Sequence, residues 1–115
     1  MKLIKRNEIE TQQRPFGRTV QKLLQHKYIK PVDSMVMFLC FVPKGKLDAH
    51  YHKETEEIIM FPQGGKIEVD GKLYEMEPWD AVLLEPGEKH GFSGEDKDVM
   101  HLAIRFPDNE DKVSC

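Results

Sequence analysis

Ala49-His50-Tyr51-His52-Lys53-Glu54-Thr55-Glu56-Glu57-Ile58-Ile59-Met60-Phe61-Pro62-Gln63-Gly64-Gly65 is the stretch on which the reading of this chain turns. In an extended segment, residues i and i+2 point to one face roughly 6.5–7 Å apart. His50 and His52 can therefore aim both imidazoles at one ion. Taken alone, His-x-His is more often two polar residues at a strand end than a metal site. The turn-like Lys53-Glu54-Thr55-Glu56 then returns the chain, and Glu57-Ile58-Ile59-Met60-Phe61 reads as a strand stopped by Pro62 and Gly64-Gly65.

Upstream, residues 35–42 read Met-Val-Met-Phe-Leu-Cys-Phe-Val, a short apolar run that ends at Pro43-Lys44-Gly45. This pattern predicts a buried strand that delivers the chain to the histidines. Downstream, residues 66–69 and 72–76 flank Asp70-Gly71, the dipeptide that suits a type I′ hairpin turn. A short strand is predicted over 80–84, a tight turn at Pro86-Gly87, and a long final strand over 99–106 in which His101 sits among apolar neighbours. Strand follows strand, with turn signals roughly every 8–12 residues, so the chain is predicted to be an all-β sandwich or barrel. Residues 17–25 are less clear, because Val20, Leu23 and Leu24 fit a helical face about as well as an extended one; a strand is the preferred reading. Three parts are expected: an N-terminal strand segment over 1–33, the barrel over 34–107, and a loose polar tail over 108–115.

The 115 residues, 39% hydrophobic and 32% charged, suit one folded domain. Seventeen basic and 20 acidic residues give a net charge of −3, with neither sign gathered into a block, which argues against nucleic acid as a partner. The basic opening Met1 to Arg6 has no signal-length apolar run after it and nothing later approaches a membrane span, so a cytoplasmic protein is expected. The two cysteines, Cys40 and Cys115, form neither a disulfide framework nor a Cys-x-x-Cys pair. Cys40 reads as buried filler and Cys115 as part of a mobile end.

Pro86-Gly87-Glu88-Lys89-His90 presents a third histidine after a tight turn. Three imidazoles and one carboxylate would form a mixed nitrogen and oxygen shell for one divalent ion. Fe, Mn, Ni, Co, Cu and Zn all suit such a shell, which differs from the sulfur-rich sites of structural zinc. An octahedral ion would keep two positions open.

These residues resemble the two motifs of the cupin superfamily, across about 45 residues in the middle of the chain. The first, Gly-x5-His-x-His-x3-4-Glu-x6-Gly, is matched by His50, His52, Glu57 and Gly64, and the second, Gly-x5-Pro-x-Gly-x2-His-x3-Asn, by Gly87 and His90. Gly45 lies one residue too close to His50, while Trp79, Glu85 and Gly94 replace a glycine, a proline and an asparagine. None of these departures touches a ligand. The resemblance implies a double-stranded β-helix, or jelly-roll barrel, with His50, His52, Glu57 and His90 as metal ligands. Glu56 is a rival to Glu57, but only Glu57 keeps the six-residue spacing to Gly64. The resemblance further implies a homodimer formed by exchange of N-terminal strands, here residues 16–24.

Elsewhere, His101 reads as a structural histidine with a place at the barrel mouth as the alternative, and His26 has no assigned role. Phe92 and Ile59 should share the inward face of the ligands. Arg14, Arg18 and Arg105 could anchor a carboxylate or phosphate, surface placement being the plainer reading. Tyr51 should face away from its two histidines, and Trp79 should pack at a barrel end. Asp70, Asp80 and the Glu54–Glu56 pair read as turn and surface charges. Among functions, the first expectation is a small metalloenzyme of dioxygenase, isomerase or decarboxylase type acting on an oxygen-rich small molecule. The alternatives are a non-catalytic module that binds a carboxylate or sugar ligand through the metal, and an ion that only holds the barrel together.

Overall fold

The computed structural model describes residues 1–28, 32–45, 49–92, 96–108 and 111–114, the last by its backbone alone. Its strands are β1 (Lys2–Ile4), β2 (Gln12–Gln13), β3 (Thr19–Val20), β4 (Val36–Val42), β5 (Ala49–His52), β6 (Glu56–Phe61), β7 (Gly65–Val69), β8 (Lys72–Met76), β9 (Asp80–Leu84), β10 (His90–Gly91), β11 (Val99–Phe106) and β12 (Lys112–Ser114). One five-stranded sheet runs β1-β9-β6-β11-β4 and the other β12-β5-β10-β7-β8, with β2 and β3 forming a small hairpin to one side. The expected all-β architecture is present, with antiparallel neighbours throughout.

Alternation along the strands places the core between the sheets. Ile59 and Phe61 of β6 meet Val82 and Leu84 of β9, Ala103 of β11, Ile67 and Val69 of β7, and Met76 of β8. Each large apolar side chain removed from water here contributes about 1.5–3 kcal/mol. The hairpin over Asp70-Gly71 forms as the dipeptide predicts, with φ of 48° and 85° at the two positions. It also reaches toward His90: the Asp70 amide donates to the Lys89 carbonyl at 2.8 Å and the Lys89 amide to Asp70 Oδ1 at 3.0 Å. The Pro86-Gly87 turn is pinned in turn by a 2.7 Å bond from the Gly87 amide to the His52 carbonyl. Two turns that bracket the third histidine are thus tied to the strands on either side of it.

Several expectations are corrected. The strand over 35–42 forms as β4, but it lies at a sheet edge, and Leu39 and Phe41 on its outer face are 72% and 64% exposed rather than buried. An apolar run carries no record of how many of its faces are covered. Of residues 17–25 only Thr19–Val20 is strand, paired with Gln12–Gln13 around a tip where Phe16 is 99% exposed. The tail is not loose where it is described: Lys112–Ser114 is β12, laddered to β5. Cys115 lies outside the described residues. Asp80 is not a surface charge but is buried, accepting hydrogen bonds from the amides of Arg6 (2.8 Å) and Glu77 (2.9 Å) and an ion pair from Lys5 (2.7 Å). Burial tends to raise its pKa, but Lys5 and the two amides hold it below the usual carboxylate value. The turn that needs this acceptor includes Trp79, half-exposed and at φ 71°. Among the described residues no helix is long and apolar enough to cross a membrane.

Gly64, the last residue of the first motif, has φ 76°, and a Cβ placed on it would lie 2.8 Å from the Met76 carbonyl oxygen. Gly71 is also left-handed at 85°, but a Cβ there would meet open space. Gly64→Ala is therefore expected to lower stability by about 2–4 kcal/mol and Gly71→Ala by about 1 kcal/mol, measured by urea denaturation. Equal losses at the two positions would show that the Met76 contact does not matter.

Candidate metal centre

His50 and His52 face inward from β5, as their spacing predicts. The register then supplies the other two groups. His90 of β10 lies directly across the ladder from His50, and Glu57 heads the inward face of β6 in the opposite sheet. One ligand-capable atom from each of the four lies within 4.8 Å of the others, and all four residues are buried. The ring centroids of His50 and His90 are 4.4 Å apart, those of His50 and His52 5.3 Å.

The outer side of the cluster fixes its protonation. His90 Nδ1 lies 3.1 Å from the Glu88 carbonyl and His52 Nδ1 lies 3.1 Å from Asp111 Oδ1. A carbonyl and a carboxylate engaged by other donors can only accept, so each Nδ1 carries a proton, and Nε2 is the atom each of these rings turns toward Glu57. Arg105, opposite Glu57 on β11, donates from Nε to Glu57 Oε2 at 2.9 Å. His52 Nε2, His90 Nε2 and Glu57 Oε1 are turned toward one another, and these three atoms, like His50 Nδ1, are buried without a hydrogen-bond partner. Glu57 Oε1 stands 3.1 Å from His90 Nε2 and 3.7 Å from His52 Nε2. Two donors each about 2.1 Å from one ion would stand about 3–3.5 Å apart. The cluster therefore fits a divalent cation in both chemistry and spacing.

The electrostatics agree. Burial works to raise the Glu57 pKa, yet His90 and Arg105 beside it bring it down to about 2, so it is a carboxylate at neutral pH. Burial, reinforced by the neighbouring His90, lowers His50 to about 4, and burial also lowers His52 against the pull of Glu57. Neutral imidazoles and an ionised acid are the forms that ligate metals.

The cluster opens on a cavity of about 50 Å³ whose walls include Ile59, Phe92, Ala103, Cys40, Arg105 and His101. Ile59 and Phe92 form the expected apolar wall. His101 is fully buried, its ring 4.4 Å from that of Phe61 and 4.6 Å from that of Phe92. Cys40 is only partly buried, and burial raises its thiol pKa. Glu56, the rival ligand, points to the other face of β6, where Oε2 meets His26 Nε2 at 2.5 Å. It is buried, not the surface charge expected, and His26 gains a role as its partner. Arg105 is drawn into the site, whereas the Arg14 guanidinium bonds to its neighbours Gln12 and Gln13 and Arg18 is exposed. Gly94 lies outside the described residues. Sequence reasoning missed Asp111 altogether: it is one acid in a polar tail, and no spacing rule ties it to His52.

No family model matches the sequence, and no curated protein does. Solved structures do match. A cupin protein from Bacteroides fragilis superposes with a TM-score of 0.58 at 23% identity, over 69% of this chain and 70% of that one. The chain has the cupin fold. Cupin-fold neighbours of stated identity include KdgF from a Halomonas species, with a TM-score of 0.61 at 19% identity over 94% of both chains. The DMSP lyase DddQ of Ruegeria pomeroyi matches with a TM-score of 0.62 at 24% identity, over 70% of this chain and 43% of that one. At these identities the likeness carries the architecture and leaves the activity to be argued from the site.

Glu57→Gln is expected to cut metal uptake at least tenfold, while Glu56→Gln leaves it within twofold, as read by elemental analysis of protein refilled with Zn(II). The reverse ranking would reassign the acid ligand. A second expectation concerns His101, which burial holds at about 4 against an ordinary 6.5. Between those values the unfolded chain binds a proton that the folded one refuses, so its contribution is complete above about pH 6.5 and fades on acidification. Metal-free protein should lose about 2 kcal/mol from this group between pH 7 and 4.5. Urea melts of His101→Phe should lack that part of the loss; an unchanged pH slope would refute it.

Proposed function

We propose that this cupin-fold chain is a small metalloenzyme whose His50, His52, Glu57 and His90 hold one divalent ion, and whose substrate is an oxygen-rich small molecule. The observation that carries the reading is the set of four buried ligand-capable groups facing one another, three of them, His52, His90 and Glu57, held from behind by hydrogen bonds. An ion at such a site supplies Lewis-acid polarisation or activation of a bound oxygen ligand. The chain's own residues decide what reaches it. Ile59, Phe92 and Ala103 exclude bulk water from one side. A cavity of about 50 Å³ admits only a few heavy atoms, so a larger molecule presents one end, such as a hydroxy-carbonyl or a carboxylate. Arg105 adds a cation at the wall, which favours an end that bears negative charge. Among the solved neighbours, a lyase and a sugar phosphate isomerase support a catalytic reading without selecting a reaction.

A second reading has its own observation. His101 at about 4 is a weak base, and an enzyme that moves protons at neutral pH works best with a base tuned near 7. This favours a non-catalytic module that binds its ligand through the metal.

The two are separated by refilling metal-free protein anaerobically with Fe(II), Mn(II), Ni(II), Co(II), Cu(II) or Zn(II) and incubating each form with hydroxy acids, uronates and sugar phosphates, with and without dioxygen. Turnover seen by NMR or oxygen uptake is expected for at least one pairing. A ligand that raises the melting temperature and is recovered unchanged with every metal would establish the binding module instead.

A further inference from the structure

We propose that the C-terminal segment is a working part of the metal centre, with Asp111 as a positioning residue that fixes His52 in the tautomer able to ligate. The inference rests on the metal reading above and adds to it a device outside both sequence motifs.

Asp111 accepts four hydrogen bonds. Its Oδ2 takes the backbone amides of Glu54 at 2.7 Å and Thr55 at 3.0 Å, and its Oδ1 takes the Thr55 hydroxyl at 2.9 Å and His52 Nδ1–H at 3.1 Å. One carboxylate thus closes the turn that carries the chain from the second histidine to Glu57, and orients that histidine as well. Directly after it, β12 pairs with β5 in the register Lys112 with His52, Val113 with Tyr51 and Ser114 with His50. On its other side, among the described residues, β5 pairs with β10 at His90 with His50 and Gly91 with Ala49. The strand that bears two of the four ligands is therefore fixed in good part by the end of the chain.

The two histidines whose Nδ1 is occupied differ in what occupies it. His90 uses the carbonyl of Glu88, two residues away, which is available wherever the turn closes. His52 uses a side chain 59 residues distant, available only when the tail is docked. An imidazole without a partner at Nδ1 divides between its tautomers, and only the form protonated at Nδ1 offers Nε2 to an ion. Removing a partner of this kind weakens metal binding by about 10–100-fold in known sites.

Long-range ¹H–¹⁵N NMR of the metal-free wild-type protein should show His52 protonated at Nδ1, and Asp111→Ala should show a mixture of tautomers. Zn(II) affinity, measured by competition with a chelator, should fall by about 10–100-fold in Asp111→Ala. It should fall less than threefold in Thr55→Val, which removes one donor to the carboxylate and leaves the His52 bond in place. Wild-type His52 protonated at Nε2, or Asp111→Ala that binds Zn(II) as tightly as wild type, overturns the proposal while the metal centre stands. Wild-type protein that takes up no metal overturns the metal reading, and this role falls with it. Should Asp111→Ala fail to fold, the tautomer of the wild-type protein decides.

Discussion

Three imidazoles and one carboxylate face one another at the centre of this barrel, each offering an electron-pair donor to the same point. A buried polar atom without a partner costs about 1–3 kcal/mol, and here there are four, from His50, His52, Glu57 and His90, one of them a full carboxylate. Replacing them with apolar side chains would remove that cost, and a cation held between them would offset it. Arg105 offsets part of the Glu57 charge from behind, and the lone pairs in front stay unanswered by the protein.

Much of the scaffold serves to keep those lone pairs aimed inward. The ladder between β5 and β10 sets His50 opposite His90, and the ladder between β6 and β11 sets Glu57 opposite Arg105. A slip of one residue in either would turn a ligand to the outside, because side chains alternate with a period of two. The turns are fastened to the same strands. Asp70 grips Lys89 just before the third histidine, the Gly87 amide bonds the His52 carbonyl, and Asp111 closes the loop between His52 and Glu57. Gly64 lets the chain leave β6 in a left-handed conformation that a Cβ could not share with the Met76 carbonyl.

The contrast between Glu56 and Glu57 shows how local pattern and tertiary structure divide the work. Both are acids, both are buried, and they are adjacent. Strand alternation sends one into the cavity and the other to the opposite face against His26. The six-residue spacing to Gly64 selected the same member of the pair, because spacing along a strand is already a statement about face. Asp80 and β4 had no such guide. An acid before an apolar strand does not announce that Lys5 and two amides will converge on it, and an apolar run does not announce that it lies at an edge.

The sequence by itself determined the elements of the central barrel, the hairpin over Asp70-Gly71, and the four residues that make up the cluster. The hairpin and the inward faces of His50, His52 and Glu57 depend on short-range rules, the two-residue period of a strand and the left-handed angles of an Asp-Gly turn, whereas His90, 33 positions after Glu57, was implied by the resemblance of its turn to the second cupin motif. Only the tertiary structure decided that Arg105 lies behind Glu57, that His101 is walled in by Phe61 and Phe92, and that the polar tail returns as β12 with Asp111 on His52. Apart from Phe92, nine positions from His101, those contacts join residues 40 to 64 positions apart, and their partners are set by which strands become neighbours when two sheets close over a common core.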